Sequence, residues 1–312
     1  MAARQGLTSD PKRLPPWLFY DAEGSELFEA ITGLDEYYLT RTERGILARN
    51  AGQIVAAAAG STHAGQARLR IVELGAGSAE KSRLLLRAVA QRQRSVIYEP
   101  IDVSASALDG ACERIESEIA GVRVIPQVTD YTHGLELAPC YGEQRLVLYI
   151  GSSIGNFEPD EALQLLRRVR AGLAPGDGLL LGVDLVKDPS LLLAAYDDAA
   201  GVTAAFNRNI LRRLNRELDG NFRLESFAHR ALWNAAQSRI EMHLESLCAQ
   251  RARLEAAGLE VAFARGETIH TENSYKFEPG QPEALLEAAG FAPAGLWTDP
   301  QQWFAVCLGQ AG

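Results

Sequence analysis

The sequence of 312 residues is poor in the patterns that mark several large classes of protein. It has four cysteines, namely Cys112, Cys140, Cys248 and Cys307, and none of them forms a CxxC motif. A disulfide framework or a cysteine-based zinc site is therefore not expected. We expect free thiols in a reducing compartment instead. The five histidines form no HxxxH pair, so a histidine-rich metal site has no support and no metal ligand is predicted.

Positive charge and long apolar runs are also scarce. Lys and Arg number 31 against 40 Asp and Glu, a formal net charge of −9, which opposes binding to nucleic acid or anionic lipid. No segment has the roughly 18 consecutive apolar residues of a transmembrane helix, and residues 1–16 lack the apolar core of a signal peptide. We expect a cytoplasmic, monomeric protein without a nucleic-acid or membrane partner.

The chain does contain a regular alternation of strands and helices after a linker at Gly60–Gln66. The strands predicted there are Arg70–Leu74, Ser95–Ile101, Val122–Val128, Arg145–Ile150 and Leu179–Asp184. Helical patterns separate them, which predicts an α/β fold with a parallel, doubly wound sheet. Two last strands, Ala292–Thr298 and Trp303–Gly309, are expected to add an antiparallel edge.

The remaining segments predict a second module. Its predicted helices are Ser25–Thr32, Thr40–Ala59 with a capping box at Thr40 and Glu43, Ser190–Leu218, and Gln250–Ala257. Its predicted strands are Arg239–Ser246 and Ala262–Ile269. We therefore predict a sheet domain of residues 61–195 plus 285–312. A substrate domain of residues 1–60 plus 196–284 completes the chain, and a small molecule is expected between the two.

A glycine loop joins the first strand of the sheet to its helix. Gly75 and Gly77 let the backbone pass close to a ligand at the carboxyl end of the strands. The third glycine of a dinucleotide loop is absent, because Glu80 stands there, and Lys81 follows in the first helical turn. The loop therefore fits the methionine part and ribose of S-adenosylmethionine (SAM) better than a dinucleotide.

Polar residues follow the next strands at the same edge. Glu99 and Asp102 are both candidates to accept hydrogen bonds from ribose hydroxyls, and Asp102 has the alternative role of capping the next helix. Asp130 is placed to accept from an adenine amino group, and the ring of Tyr131 to stack on the base. The loop Gly151–Phe157 is expected near the sulfonium methyl.

Several longer motifs resemble the histidine Nα-methyltransferases of ergothioneine biosynthesis, in consistent order over nearly the whole chain. The motifs are Leu14–Asp21, Gly24–Phe28, Glu36–Arg41, Glu73–Ser78, Pro100–Ser104, Gly151–Phe157 and Glu272–Phe277. The resemblance implies a Rossmann-like class I SAM methyltransferase sheet with an interleaved α+β substrate-binding domain. It also implies trimethylation of the α-amino group of L-histidine to hercynine.

The resemblance further implies site residues. Together with the glycine loop, it gives as cofactor contacts Tyr20, Gly75, Gly77, Lys81, Asp102, Asp130 and Tyr131. The amino-acid pocket it implies is lined by Phe28, Tyr37, Gly151, Asn156, Tyr196, Thr203, Met242, Glu272 and Ser274. Among these, Asn156, Tyr37 and Tyr196 are expected to orient the reacting amino acid, while Glu272 and Ser274 bind both imidazole nitrogens.

Plainer interpretations of the same residues stay open. Asn156 is also placed to cap the helix near Glu158, and Met242 to fill a core. Tyr196 and Thr203 are seven residues apart on one predicted helix and so share a face, which packing against the core would explain as well as substrate binding. Two other functions remain as alternatives: Nα-methylation of another amino acid such as tryptophan, and SAM binding without catalysis.

Overall fold

The computed structural model describes residues 2–60, 67–132, 134, 135, 137, 140 and 142–312, so nearly all of the predicted linker lies outside it. The helices are α1 (Ala2–Leu7), α2 (Ala22–Thr32), α3 (Tyr38–Ala59), α4 (Ser82–Gln93), α5 (Ala105–Glu118), α6 (Pro159–Ala171), α7 (Pro189–Tyr196), α8 (Val202–Glu217) and α9 (Gln281–Ala288). The strands are β1 (Lys12–Arg13), β2 (Leu69–Leu74), β3 (Val96–Asp102), β4 (Val122–Val124), β5 (Gln127–Val128), β6 (Gln144–Tyr149), β7 (Gly178–Asp184), β8 (Phe227–Asn234), β9 (Arg239–Ser246), β10 (Gln250–Leu254), β11 (Leu259–Phe263), β12 (Thr268–Tyr275), β13 (Phe291–Thr298) and β14 (Phe304–Ala311).

The chain divides into two compact units. We call residues 39–186 and 276–312 the sheet unit, and residues 2–38 and 187–275 the aromatic unit. The division differs from the predicted domain boundaries, because residues 39–59 of α3 group with the sheet unit and not with the N-terminal segment. Residues 276–284 also belong to the sheet unit.

The sheet unit contains an eight-stranded sheet with the order β13-β14-β7-β6-β2-β3-β4, and β5 continues the pairing with β3. Strands β2 to β7 pair in parallel, whereas β14 runs antiparallel to both β7 and β13. The predicted doubly wound sheet with an antiparallel edge is therefore confirmed. Strand β7 is buried at every position, which explains its uninterrupted apolar sequence.

The aromatic unit contains a four-stranded sheet with the order β1-β12-β9-β8 and a separate ribbon of β10 and β11. Strand β1 is parallel to β12, and the other pairs are antiparallel. Strand β9 alternates between buried and half-buried positions, as expected when one face of a sheet packs against a core. Helices α2 and α8 pack on each other in the same unit.

The prediction of one helix over Ser190–Leu218 is wrong. Helix α7 ends at Tyr196, and α8 begins at Val202 after Gly201, whose φ of +75° is left-handed. The carboxylate of Asp198 accepts the backbone N–H groups of Val202 and Thr203 at 3.0 and 2.7 Å. Local capping thus restarts the helix, and Tyr196 and Thr203 lie on two helices and not on one.

Other predictions fail in the β region of the aromatic unit. Gln250–Leu254 is the strand β10 and only Glu255–Ala257 is helical, as a 3₁₀ turn. Strand β10 pairs with β11, and Glu260 bridges Arg251 and Arg253 across the ribbon. The predicted strand Ala262–Ile269 is interrupted by a turn at Gly266, where φ is +83°. Tertiary pairing therefore overrides the local pattern here. Among the described residues, no helix is both long and apolar enough to cross a membrane.

Candidate functional site

The glycine loop of the sheet unit is a tight turn fixed by backbone hydrogen bonds. Gly75 and Gly77 have φ values of +68° and +51°, which residues other than glycine rarely adopt. Gly75 donates its N–H to the carbonyl oxygen of Ile101 at 2.8 Å. Gly77 donates its N–H to Oδ2 of Asp102 at 2.9 Å. The loop is therefore held against the end of β3.

Asp102 connects two turns through its two carboxylate oxygens. Oδ2 accepts from Gly77, and Oδ1 accepts the N–H of Ser104 at 2.9 Å. The capping role considered for Asp102 is thus present, and each oxygen retains further acceptor capacity for a ligand. Glu99 is fully buried and pairs with Arg70 at 2.6 Å, which leaves Asp102 as the acidic candidate at this strand end.

Asp130 and Tyr131 lie directly beyond β5. Oδ1 of Asp130 accepts from the backbone N–H and the hydroxyl of Thr132 at 2.9 and 2.6 Å. The hydroxyl of Tyr131 lies 3.3 Å from the point where a Cβ on Gly75 would stand. The ring of Tyr131 also packs edge-on against Tyr149, with centroids 5.9 Å apart. Tyr131 is thus brought onto the glycine loop, and a side chain at position 75 would crowd it.

Glu43 is a buried residue of the site that the sequence analysis assigned to a capping box, and that assignment is wrong. Its carboxylate is 0% exposed and lies 2.5 Å from Nζ of Lys81. The N–H of Gly151 lies 2.9 and 3.0 Å from its two oxygens. A Cβ on Gly182 would stand 2.0 Å from Oε1 of Glu43, so only glycine fits there. Glu43 therefore joins the first turns after β2 and β6.

A signal for this role was present in the sequence. Glu43 stands three and four residues before Ile46 and Leu47, which are both fully buried. Residues at this spacing share a helix face, so a carboxylate on the apolar face of α3 should have been marked as a buried charge in need of a partner.

Glu73 is a second buried carboxyl group of the sheet unit, at the end of β2. It accepts hydrogen bonds from the hydroxyls of Ser82 and Tyr98. Burial raises the pKa of Glu73 to about 7, although these two hydrogen bonds and the charge of Lys81 act in the opposite direction. The loop therefore begins at a carboxyl group that titrates near neutral pH.

The loop after β6 forms a short 3₁₀ turn at Ser153–Asn156. Ser152 has a left-handed φ of +60°, and its hydroxyl accepts the N–H of Asp184 at 2.9 Å. Helix α6 begins at Pro159 with Glu158 as its N-cap residue. Asn156 is therefore not the N-cap of that helix, and its side chain is half-buried in the turn before it.

Six aromatic rings form a cluster in the aromatic unit. Its members are Phe19, Tyr20, Phe28, Tyr37, Tyr196 and Phe206, with neighbouring centroids 4.5 to 6.3 Å apart. Four of these residues were predicted from the resemblance, and the structure brings them together although they come from separate segments. Phe19 and Phe206, which stack at 4.5 Å, were not predicted. The cluster supplies an apolar wall with hydroxyl groups at its edge.

Ser274 and Glu272 lie two apart on β12 and are both buried, with exposures of 4% and 9%. The hydroxyls of Ser274 and Tyr196 are 2.7 Å apart. A β-bulge between His270 and Glu272 shifts the register, so Glu272 stands opposite Met242 of β9. Because alternate strand residues share a face, the carboxylate and the hydroxyl lie on the same side of the sheet.

A neutral hydrogen-bond network supports these residues. His229 bonds through Nε2 to the carbonyl oxygen of Tyr196 and through Nδ1 to Nδ2 of Asn207, both at 2.8 Å. Burial lowers the pKa of His229, which favours the neutral ring. The hydroxyl of Thr271 donates to Oδ1 of Asn207 at 2.8 Å and lies 3.0 Å from the carbonyl oxygen of Met242. The network therefore ties α7 and α8 to the strands that carry Met242 and Glu272.

The predicted residues thus fall into two groups. Gly75, Gly77, Lys81, Asp102, Asp130, Tyr131, Gly151 and Asn156 follow strands of the sheet unit. Tyr20, Phe28, Tyr37, Tyr196, Thr203, Met242, Glu272 and Ser274 belong to the aromatic unit. Thr203 is buried in the first turn of α8. Asn207, His229 and Thr271 were missed, because no local pattern distinguishes them from ordinary polar residues.

Comparison with known proteins gives consistent matches over the chain. The family described as "Histidine-specific methyltransferase, SAM-dependent" matches residues 1–311. The histidine N-alpha-methyltransferase of Mycolicibacterium smegmatis is 46% identical, over 98% of this chain and 92% of that protein. The histidine N-alpha-methyltransferase of Mycobacterium tuberculosis is 43% identical, over 97% of this chain and 92% of that protein. Ergothioneine biosynthesis protein 1 of Neurospora crassa is 29% identical over 92% of this chain, which spans 32% of that longer protein.

Proposed function

Because this chain belongs to the family of SAM-dependent, histidine-specific methyltransferases, we propose that it transfers methyl groups from SAM to the α-amino group of L-histidine. Three transfers convert the α-ammonium group into the trimethylammonium group of hercynine and release three molecules of S-adenosylhomocysteine and three protons. The likeness to the Neurospora protein supports a place for this product in ergothioneine biosynthesis. The sheet unit takes the role of SAM-binding domain, and the aromatic unit that of substrate-binding domain.

The observation that carries this proposal is the buried pair of Glu272 and Ser274 on one face of β12. A carboxylate accepts an imidazole N–H, and a hydroxyl donates to the other ring nitrogen. Tyr196, whose hydroxyl lies 2.7 Å from that of Ser274, keeps this group in place. A side chain that lacks a ring N–H would leave the buried carboxylate without its ligand bond, so it would be selected against.

The sheet unit fits SAM through the donor and acceptor set at its strand ends. Asp102 has acceptor capacity for ribose hydroxyls beside a loop whose glycines leave room for a ligand. Lys81 has three N–H donors, and Glu43 holds its ammonium group beside Gly151. A cation there suits the carboxylate of the methionine part. When bound, SAM supplies an electrophilic methyl group on a sulfonium ion.

The protein's own contribution is to place a neutral amine in line with that methyl group. Such a displacement needs a free lone pair and correct alignment, and it needs no covalent nucleophile. The amide of Asn156 has both donor and acceptor capacity to orient the amino-acid head, and Tyr37 has a hydroxyl that can donate to its carboxylate. The hydroxyl of Tyr196 donates to Ser274, which frees the hydrogen of Ser274 for the imidazole. The aromatic wall around Phe28 fits the methyl groups as they accumulate.

The test is a product assay by mass spectrometry with SAM and a panel of amino acids. We expect mono-, di- and trimethylhistidine to appear in succession, with histidine the fastest substrate. Faster methylation of tryptophan would overturn the substrate assignment. Binding of SAM without conversion of any amino acid would favour the alternative of a non-catalytic SAM-binding protein.

We also propose that the protein works in the cytoplasm as a monomer. The four cysteines are free thiols, which suits a reducing compartment. The net charge of −9 disfavours a nucleic-acid partner. Sedimentation of the purified chain would test the monomer, and a stable dimer would contradict it.

A further inference from the structure

A cluster of three potential metal ligands lies in the aromatic unit, outside the groups assigned to substrate and cofactor. Glu241 and His243 are two apart on β9, so they share the face opposite to that of Met242. His270 of β12 is the direct cross-strand partner of His243, and their rings stack with centroids 4.8 Å apart. One ligand atom from each of the three residues lies within 4.8 Å of the other two.

The ring of His270 is oriented as a metal-binding histidine would be. Its Nε2 lies 3.0 Å from the carbonyl oxygen of Glu272 and donates its hydrogen there. That bond fixes the tautomer and leaves the lone pair on Nδ1. Histidines that bind metals usually donate their other ring N–H to a carbonyl or carboxylate in this way.

The carboxylate of Glu241 is also held by neighbours. Oε1 accepts from Nδ2 of Asn234 and from Nε of Arg239, both at 2.8 Å. Oε2 faces Nε2 of His243 at 3.1 Å. Oε1 is therefore used to orient the carboxylate, and Oε2 faces the centre of the cluster. Carboxylates that bind metals are commonly hydrogen-bonded in this way.

We propose that Glu241, His243 and His270 form a binding site for a transition-metal ion of the zinc type. Two imidazoles and one carboxylate match the preferences of Zn²⁺, whereas Mg²⁺ and Ca²⁺ select all-oxygen sites. Tetrahedral Zn²⁺ holds its ligand atoms roughly 3.3 Å apart, so no pair of ligand atoms has to close in by more than about 1.5 Å on binding. Water fills the fourth position, and the charge of Arg239 keeps the affinity below that of a closed structural site.

The first test is a titration of the chain, free of any histidine tag and of added histidine, with Co²⁺ as the spectroscopic probe and Zn²⁺ as its competitor. We expect visible absorption bands of four-coordinate Co²⁺ that Zn²⁺ abolishes. His243→Gln and His270→Gln should each weaken binding at least about tenfold, since even residues that only support a ligand contribute that much. Glu245→Gln is the matched control, because Glu245 lies on the same strand face but pairs with Arg230.

A second measurement locates the ion by NMR spectroscopy of the histidine rings. With ¹⁵N-labelled histidine, Zn²⁺ should shift the ring resonances of two of the five histidines, and those two should be the ones missing from spectra of the two variants. Equal Co²⁺ affinity in wild type and both variants would overturn the proposal. Shifts confined to other histidines, or thiolate-to-cobalt charge-transfer bands from the cysteines, would overturn it as well.

Discussion

Buried polar side chains in the sheet unit are largely charges paired with charges, whereas in the aromatic unit they are largely neutral groups bonded to each other. The sheet unit has the buried or half-buried pairs Glu43–Lys81, Arg70–Glu99, Arg145–Asp177 and Asp184–Lys276. The aromatic unit also has half-buried ion pairs such as Arg239–Glu241, but its more deeply buried groups form the neutral pairs Tyr196–Ser274, Asn207–His229 and Thr271–Asn207.

This contrast has consequences for each kind of residue. A buried ion pair contributes little net stability, but removal of one partner leaves an uncompensated charge. A neutral hydrogen bond is weaker and its loss is correspondingly smaller. The sheet unit should therefore be sensitive to single charge removals, and the aromatic unit should lose selectivity before it loses its fold.

The largest expected effect is on the Asp184–Lys276 pair, in which both side chains are fully buried and 2.9 Å apart. Lys276→Met should lower the free energy of unfolding by about 3–5 kcal/mol, measured by urea denaturation, because Asp184 loses its partner. Lys187→Met is the control, since Lys187 donates to the neutral hydroxyl of Tyr38 at 2.8 Å and should cost about 1 kcal/mol. Equal losses in the two variants would contradict the contrast between the units.

The next effect concerns the pH dependence of stability. Burial raises the pKa of Glu73 to about 7 from 4.5, so the folded chain holds this proton more tightly than the unfolded chain. The contribution of Glu73 is complete below pH 4.5 and is lost as the pH rises through about 7, by up to about 3 kcal/mol. Glu73→Gln should abolish this decline in denaturation curves from pH 4 to 8. An unchanged decline would assign it to another group.

A smaller effect is expected from the carboxylate of the aromatic unit. Glu272→Ala should lower kcat/KM for histidine by about 1–3 kcal/mol in transition-state free energy, because the imidazole loses its acceptor. The dissociation constant of SAM should not change. Glu245→Ala, on the neighbouring strand and paired with Arg230, is the control and should leave the kinetics unaltered. Wild-type kinetics in Glu272→Ala would refute the assigned role.

The smallest of the four effects tests Glu43, which the sequence pattern placed only in a capping box. Glu43→Gln keeps an acceptor for Gly151 but removes the charge that holds Lys81. The dissociation constant of SAM should rise about tenfold, or roughly 1.4 kcal/mol, in calorimetric titrations. Glu80→Gln, next to Lys81 but paired with Arg83 at the surface, should bind SAM normally. A normal constant for Glu43→Gln would limit Glu43 to a structural role.

Sequence periodicity predicted the parallel sheet well because each strand buried on both faces is a continuous apolar run, as in β7. It failed at Gln250–Ala257, where a ribbon with cross-strand ion pairs outweighs helix propensity. It failed again at Asp198, whose side chain caps α8 and ends the continuous helix. These choices depend on contacts that a local window does not contain.

The sequence alone determined the order of the sheet elements, the glycine loop with its following polar residues, and the motifs that carry the family resemblance. Only the tertiary structure decided that Glu43 lies beside Lys81, that a β-bulge sets the register of Glu272, and that His243 and His270 stack across two strands. The reason is physical: helix and strand patterns follow from nearest neighbours along the chain. Pairing of buried charges and rings depends on which distant segments fold to within a few ångströms of each other.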